Sequence, residues 1–166
     1  MSGSIEIILR ETNSSPDSED SRLLWAWRND PVTRGMSRRT EEVSWGSHKD
    51  WYVKAMQSNE KVILMGEKDS VKIGMVRFDF IENSYAEINI NLNPDMRGKG
   101  LGKILLLEGC KYGFENLKLG RIYAEIKPEN LLSVKIFESA GFTFEGIKDG
   151  LRTYSLYRHS SRKEGT

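Results

Sequence analysis

Cross-linking is the first thing the sequence excludes: Cys110 is the only cysteine among 166 residues, so no internal disulfide can form. Histidine is almost as scarce, with two, which leaves no convincing set of soft ligands, and no metal is expected. A net charge is missing too. The 25 basic and 24 acidic residues nearly cancel, so no global field draws the chain to nucleic acid or an anionic membrane, and any anion site must be local. No stretch approaches the roughly 18 apolar residues that a membrane span needs, and "MSGSIEIILRETN" lacks a basic segment leading into a long apolar run. These absences lead us to expect a cytoplasmic protein with neither nucleic acid nor membrane as partner. A composition 38% apolar and 30% charged suits one core, so a single domain over residues 1–166 is expected.

What is present reads as alternating strands and helices. "IEIIL" (5–9) is β-rich, and a helix is expected from near Asp17, with Leu23, Leu24 and Trp27 on its apolar face and Pro31 ending it. "VTRGMSRRTEE" reads as irregular. "SWGSHKDWYVKAMQ" reads as a helix capped by Ser44. "KVILMGE" and "VKIGMVRFDF" form a hairpin across "KDS". In "YAEININLN", Ala86, Ile88, Ile90 and Leu92 alternate with Glu87, Asn89, Asn91 and Asn93, which predicts a strand with one buried and one polar face. Ile104, Leu107, Cys110, Phe114 and Leu117 recur at helical spacing. "RIYAEI" is a strand, "ENLLSVKIFESAGF" a helix ending at Gly141, and "FTFEGIKDG" with "LRTYSLYR" a closing hairpin; residues 159–166 read as a frayed tail.

Between the alternating strand and the next helix lies "NPDMRGKGLGKILL" (93–106). A strand, a glycine loop and a helix make an anion site, because unpaired amides converge at the positive end of the helix dipole and glycine permits positive φ and close approach. Arg97, Lys99 and Lys103 add charge. Two phosphate-loop patterns fail on spacing, since both the Walker loop and the dinucleotide fingerprint would need a glycine at position 103.

The remaining pattern, Arg97-x-x-Gly100-x-Gly102, preceded by "AEINI" and followed by "NLLSVKIFESAGFTFEG", resembles the coenzyme A pyrophosphate loop and second motif of the GNAT acetyltransferase superfamily. The resemblance covers nearly the whole chain. It implies an α/β (α+β) fold, with a mixed, mainly antiparallel sheet of about seven strands flanked by about four helices, and acetyl-CoA as co-substrate. It further implies that Ile90, Asn91 and Leu92 pair with the pantetheine arm, that Gly98, Lys99, Gly100, Leu101, Gly102 and Lys103, with Arg97, cradle the pyrophosphate, and that Asn130 contacts pantetheine. A backbone N–H near Leu92 would be the oxyanion donor. An amine must lose a proton before it attacks, and Glu87, on the polar face of the strand before the loop, is the candidate base. Phe137 stands where many relatives carry a tyrosine that protonates the thiolate, so no general acid is assigned; Tyr154 or water could assist. Cys110, in an apolar helix stripe, reads as packing rather than as an acyl carrier.

For the acceptor, Arg28-Asn29-x-Pro31, Met36, Ser44 and His48 resemble the branch that acetylates a UDP-linked 4-amino-6-deoxy sugar in pseudaminic acid synthesis. That resemblance implies a small-molecule amine as partner, with Arg28, Asn29 and His48 as acceptor-binding candidates. Arg28, Arg34, Arg38 and Arg39 would suit a nucleotide diphosphate or form a solvated basic surface. A packed histidine beside Trp45 and Trp51 is the alternative for His48. Two other functions stay open, acetylation of a protein or peptide amine and a non-catalytic acyl-CoA-binding module. Either a monomer or a homodimer is compatible with the sequence.

Overall fold

The computed structural model describes residues 6–159. Its strands are β1 (Ile8–Glu11), β2 (Lys61–Lys68), β3 (Val71–Glu82), β4 (Tyr85–Leu92), β5 (Arg121–Ile126), β6 (Thr143–Lys148) and β7 (Leu151–Tyr157). Its α-helices are α1 (Glu19–Asn29), α2 (Pro31–Met36), α3 (Trp45–Gln57), α4 (Leu101–Glu115) and α5 (Leu131–Ser139), with one 3-10 turn at Pro94–Met96. The strands form one sheet in the order β1-β2-β3-β4-β5-β7-β6, antiparallel except where β4 meets β5. The mixed, mainly antiparallel sheet expected from the sequence is therefore present.

Local signals account for most boundaries. Ser18 caps α1 by accepting from the Ser21 amide, so the helix begins at Glu19 rather than near Asp17, and Ser44 caps α3 as expected. The β2–β3 and β6–β7 hairpins turn through paired left-handed residues, Asp69–Ser70 (φ 51 and 67°) and Asp149–Gly150 (φ 51 and 78°), the twist that two-residue turns share with their strands. β1 lies further along the chain than "IEIIL"; its register with β2 runs from Ile8↔Glu67 to Glu11↔Leu64. Ile5 lies outside the described residues, as does the expected frayed tail apart from His159.

A fifth helix, α2, replaces part of the expected irregular stretch. Pro31 opens it and the Asp30 carboxylate accepts from the Thr33 amide, but six residues are too few for hydrophobic periodicity to register. Of the stripe expected on α4 and just beyond it, Cys110 is buried and Ile104, Phe114 and Leu117 pack against the core. Leu107 is exposed, and the helix meets the sheet through Leu105, Leu106, Gly109, Cys110 and Gly113. A Cβ at Gly109 would stand 3.1 Å from Val76 Cγ1, and one at Gly113 would stand 3.0 Å from Phe78 Cζ. Counting only large apolar side chains misses a face built on close approach.

Helices α4 and α5 cover one face of the sheet around Val76, Phe78, Ile88, Leu105 and Ile122. On the other face, α1 and α3 bury Leu24, Trp27 and Tyr52 against Ile63, Met65 and Met75 of β2 and β3. That second face is covered only in part, so the polar sides of β4, β5 and β7 line an open cleft of about 620 Å³.

One ion cluster pins β1, β2 and α1 together. Arg10 donates to Asp20 Oδ2 at 2.7 Å, to Asp20 Oδ1 at 3.0 Å and to Glu67 Oε1 at 2.7 Å, while the Asn13 amide and Lys72 also reach Asp20. These contacts, the Arg10 hydrogen bonds foremost, hold the Asp20 carboxyl at about 2 against an ordinary 3.8. A depressed folded-state pKa contributes stability that is complete above the unfolded value and lost as pH falls toward the folded one. Asp20→Asn should therefore flatten the acid side of the stability profile, removing up to about 2 kcal/mol at neutral pH, less in salt because Arg10 is part-exposed. Urea unfolding of both proteins across the acid range measures it.

Candidate active site

The central strands part company in the middle of the sheet. β4 pairs with β5 over only three residues, Tyr85↔Arg121 to Glu87↔Tyr123, yet stays paired with β3 as far as Leu92↔Gly74. Beyond Glu87 a fork opens. The Asn93 amide donates to Ile73 O on β3, so strand alternation turns the amides of Leu92 and Ile90 away from β3 and into the fork. Of the three residues expected to pair with an extended arm, Ile90 and Leu92 thus present backbone there. Asn91 differs: its backbone faces Met75, and only its side chain projects to the polar face.

The wide end of the fork leads into the glycine loop. Gly98 and Gly100 take left-handed φ of 76 and 71°, and a Cβ at either would meet no protein atom within 4 Å. Every other α-helix is capped by a side chain, namely Ser18, Asp30, Ser44 and Asn130. α4 has no side-chain cap. Its first-turn amides are left facing open space at the positive end of a 15-residue helix, an arrangement that fits a diphosphate. Lys99 and Lys103 are exposed beside it. Arg97 is not free to join them, because its guanidinium is paired with Asp30 and donates to Thr33 Oγ1 at 3.1 Å, bracing α2. Gly102 lies against α5, where an added Cβ would come 3.3 Å from Ile136 Cδ1, and Leu101 is buried beneath the loop.

Two carboxylates mark the closed end of the fork. Glu87 is the last β4 residue paired with β5, and Glu125 lies two residues beyond its partner Tyr123, on the same face. Both side chains are 12% exposed. Arg38 spans them, at 3.2 Å from Glu87 Oε1 and 3.5 Å from Glu125 Oε2. Burial pushes the Glu87 carboxyl above its ordinary value and Glu125 adds to the push, while Arg38 opposes it. A carboxylate so placed is suited to taking a proton from an ammonium. Sequence reasoning missed Glu125; its signal, an acid at alternate spacing from Tyr123 in "RIYAEI", needs the strand order to acquire meaning. Tyr123 was missed as well. Burial first, then Glu125, Tyr85 and Glu87, push its phenol up to about 12, so it stays protonated on the cleft wall. Asn89, between Glu87 and Asn91, has a buried Nδ2 with no hydrogen-bond partner among the described residues.

The remaining candidates divide. Arg28 is half-buried on α1 and has no carboxylate partner among the described residues; burial, with Arg77 and Arg39 nearby, lowers its pKa. Asn29 is committed to structure, donating to Val43 O at 2.8 Å and accepting from the Val43 amide at 2.9 Å. His48 is 3% exposed, stacked on Trp45 and 3.0 Å from Ser21 Oγ through Nε2, so it packs rather than facing the cleft. Burial lowers its pKa. Arg34 binds Asn29 O and Thr40 O, local contacts that fold the 29–40 segment. Asn130 caps α5 by accepting from the Ser133 amide at 3.2 Å. Phe137 packs edge-on against Phe142, and Tyr154, its hydroxyl accepting from Arg152, is fully buried in the core on the opposite side of β7 from Thr153, which lines the cleft. Cys110 is buried and its thiol pushed up to about 12, so it is no acyl carrier at neutral pH.

Known proteins share this architecture. The family model described as an acetyltransferase (GNAT) domain matches residues 7–143. Acetyltransferase PseH of Campylobacter jejuni is 28% identical over 127 residues, covering 76% of this chain and 79% of that protein. A crystal structure of C. jejuni N-acetyltransferase PseH in complex with acetyl coenzyme A superposes with TM-score 0.73 at 22% identity, over 91% of this chain and 99% of that one. Spermidine N-acetyltransferase from Vibrio cholerae, crystallised with CoA and spermine, superposes with TM-score 0.80 at 22% identity, over 91% of this chain and 95% of the other.

Proposed function

The chain belongs to the acetyltransferase (GNAT) family, acetyl-CoA-dependent N-acetyltransferases, and on that premise we propose that it acetylates the 4-amino group of a UDP-linked amino-deoxy sugar. The observation that carries the transfer is the fork, where an unpaired strand edge, an uncapped helix and a raised carboxylate converge. Ile90 and the carbonyl of Leu92 hold the pantetheine arm by backbone hydrogen bonds, and the α4 amides with Lys99 and Lys103 hold the diphosphate. Glu87 removes a proton from the acceptor ammonium. The amine nitrogen then bonds to the thioester carbonyl carbon, the Leu92 amide stabilises the developing oxyanion, and the C–S bond breaks to release the thiolate while the nitrogen gives up its second proton, to the departing sulfur or to water. A thiolate is a good enough leaving group to depart without an acid at position 137.

Two observations bear on the acceptor. Arg28, half-buried and without a carboxylate partner among the described residues, supports an acceptor that brings an anion, as a nucleotide sugar does. Glu87, Glu125 and Glu145 in the same cleft favour a second reading, a polyamine, which brings only positive charge. A thiol-release assay with acetyl-CoA against UDP-amino sugars, spermidine and peptide N-termini, with mass spectrometry locating the acetyl group, separates them. The expected result is turnover on the UDP-amino sugar; turnover on spermidine alone selects the polyamine, and acetyl-CoA binding without turnover on any amine sinks the transferase mechanism.

A further inference from the structure

The segment from Asp30 to Arg38 borders the fork, and its helix α2 buries no side chain. Polar contacts tie it to the site instead. Arg97 of the glycine loop holds Asp30 and Thr33, Lys127 just after β5 donates to Gly35 O at 3.1 Å, and Arg38 reaches the two carboxylates. Without apolar burial, such a tether is held by contacts that solvent and competing ions can replace.

Its last contact is the informative one. Glu87 and Glu125 are nearly enclosed and lie close enough to share one guanidinium, so as a pair they require a cation. Arg38 supplies it from a side chain 48% exposed, on a loop free of core packing. A primary ammonium entering the cleft offers the same charge and the same kind of N–H donors. Both cannot occupy one place.

Resting on the reading of this cleft as the acceptor site, we infer that Arg38 is a built-in competitor: it occupies the two-carboxylate subsite that receives the acceptor's ammonium, and the acceptor displaces it. Glu125 is then a positioning residue that helps seat the ammonium beside Glu87. The arrangement discriminates by charge, because a neutral molecule gains nothing by displacing a guanidinium, whereas a cation exchanges with it at little electrostatic cost.

The test is carboxyl-carbon NMR of glutamate-labelled protein, titrated with n-butylamine at a pH where it is protonated. In the unsubstituted protein the amine should move the Glu87 and Glu125 resonances together. Arg38→Gln should bind it about two- to tenfold more tightly, as expected when one or two part-exposed ion pairs no longer compete. Glu125→Gln should weaken binding, and calorimetry should show the acetyl-CoA affinity of Arg38→Gln unchanged. Equal or weaker amine binding by Arg38→Gln, or a titration that moves neither carboxylate, overturns the inference. The titration needs no turnover, so a failed acceptor panel with a successful titration would count against the proposed transfer and not against this subsite.

Discussion

Glu87→Gln is expected to lower kcat by about 10²- to 10⁴-fold, the usual contribution of a positioned general base, while acetyl-CoA affinity stays as it was. Glutamine keeps the shape of the side chain, so the enclosed site is preserved and only proton acceptance is lost. The carboxyl lies above its ordinary value of 4.5 because burial penalises its charged form. The base must be ionised to work, so kcat/KM should fall as pH drops through that raised value, and the acidic limb should sit above the ordinary carboxylate range. In Glu87→Gln that limb should vanish. A rate that survives the substitution with its acidic limb intact would leave Glu87 as no more than an ion-pair partner for Arg38.

Gly100→Val should abolish cofactor capture, raising the acetyl-CoA dissociation constant by about 10²-fold or more, the equivalent of one or two charge-assisted hydrogen bonds. Two causes act together. A φ of 71° is costly for a β-branched residue, on the order of 1–3 kcal/mol, so the loop shifts to relieve it and the first α4 amides move with it. The new side chain also projects into the open space where a diphosphate must approach, since the protein itself offers it no contact. Gly102→Ala is the control. Gly102 lies within α4 at ordinary helical φ, and its Cβ would press only on the flexible end of Ile136, so a much smaller loss is expected. Calorimetry with acetyl-CoA, alongside thermal unfolding to verify that both variants fold, measures the difference.

The sequence made some of this architecture legible and concealed the rest for physical reasons. The alternation from Tyr85 to Asn93 sorts buried from polar residues along β4 without reference to any other strand, because pleating is local. The glycine loop is legible for the same reason. Arg97 shows the limit: its charge suggested a phosphate ligand, but its partner Asp30 lies 67 residues away in sequence. His48 is similar, since helical spacing places it beside Trp45 and Trp51 but only the fold supplies Ser21 as a partner. Glu125 drew no attention because one acid in a short strand has no signature; it becomes part of a site only when β5 lies parallel to β4 and Arg38 is brought across.

The three-residue pairing of β4 with β5 has a mechanical corollary. The sheet amounts to two antiparallel panels joined along a short seam, and the ladders that flank it, β3 with β4 and β5 with β7, are longer. A ligand lying along the open edges would act as a suture, lending its own amides to the gap and stiffening the joint from within. Amide hydrogen exchange would register that tightening first at Ile90 and Leu92, before any change reached the outer strands.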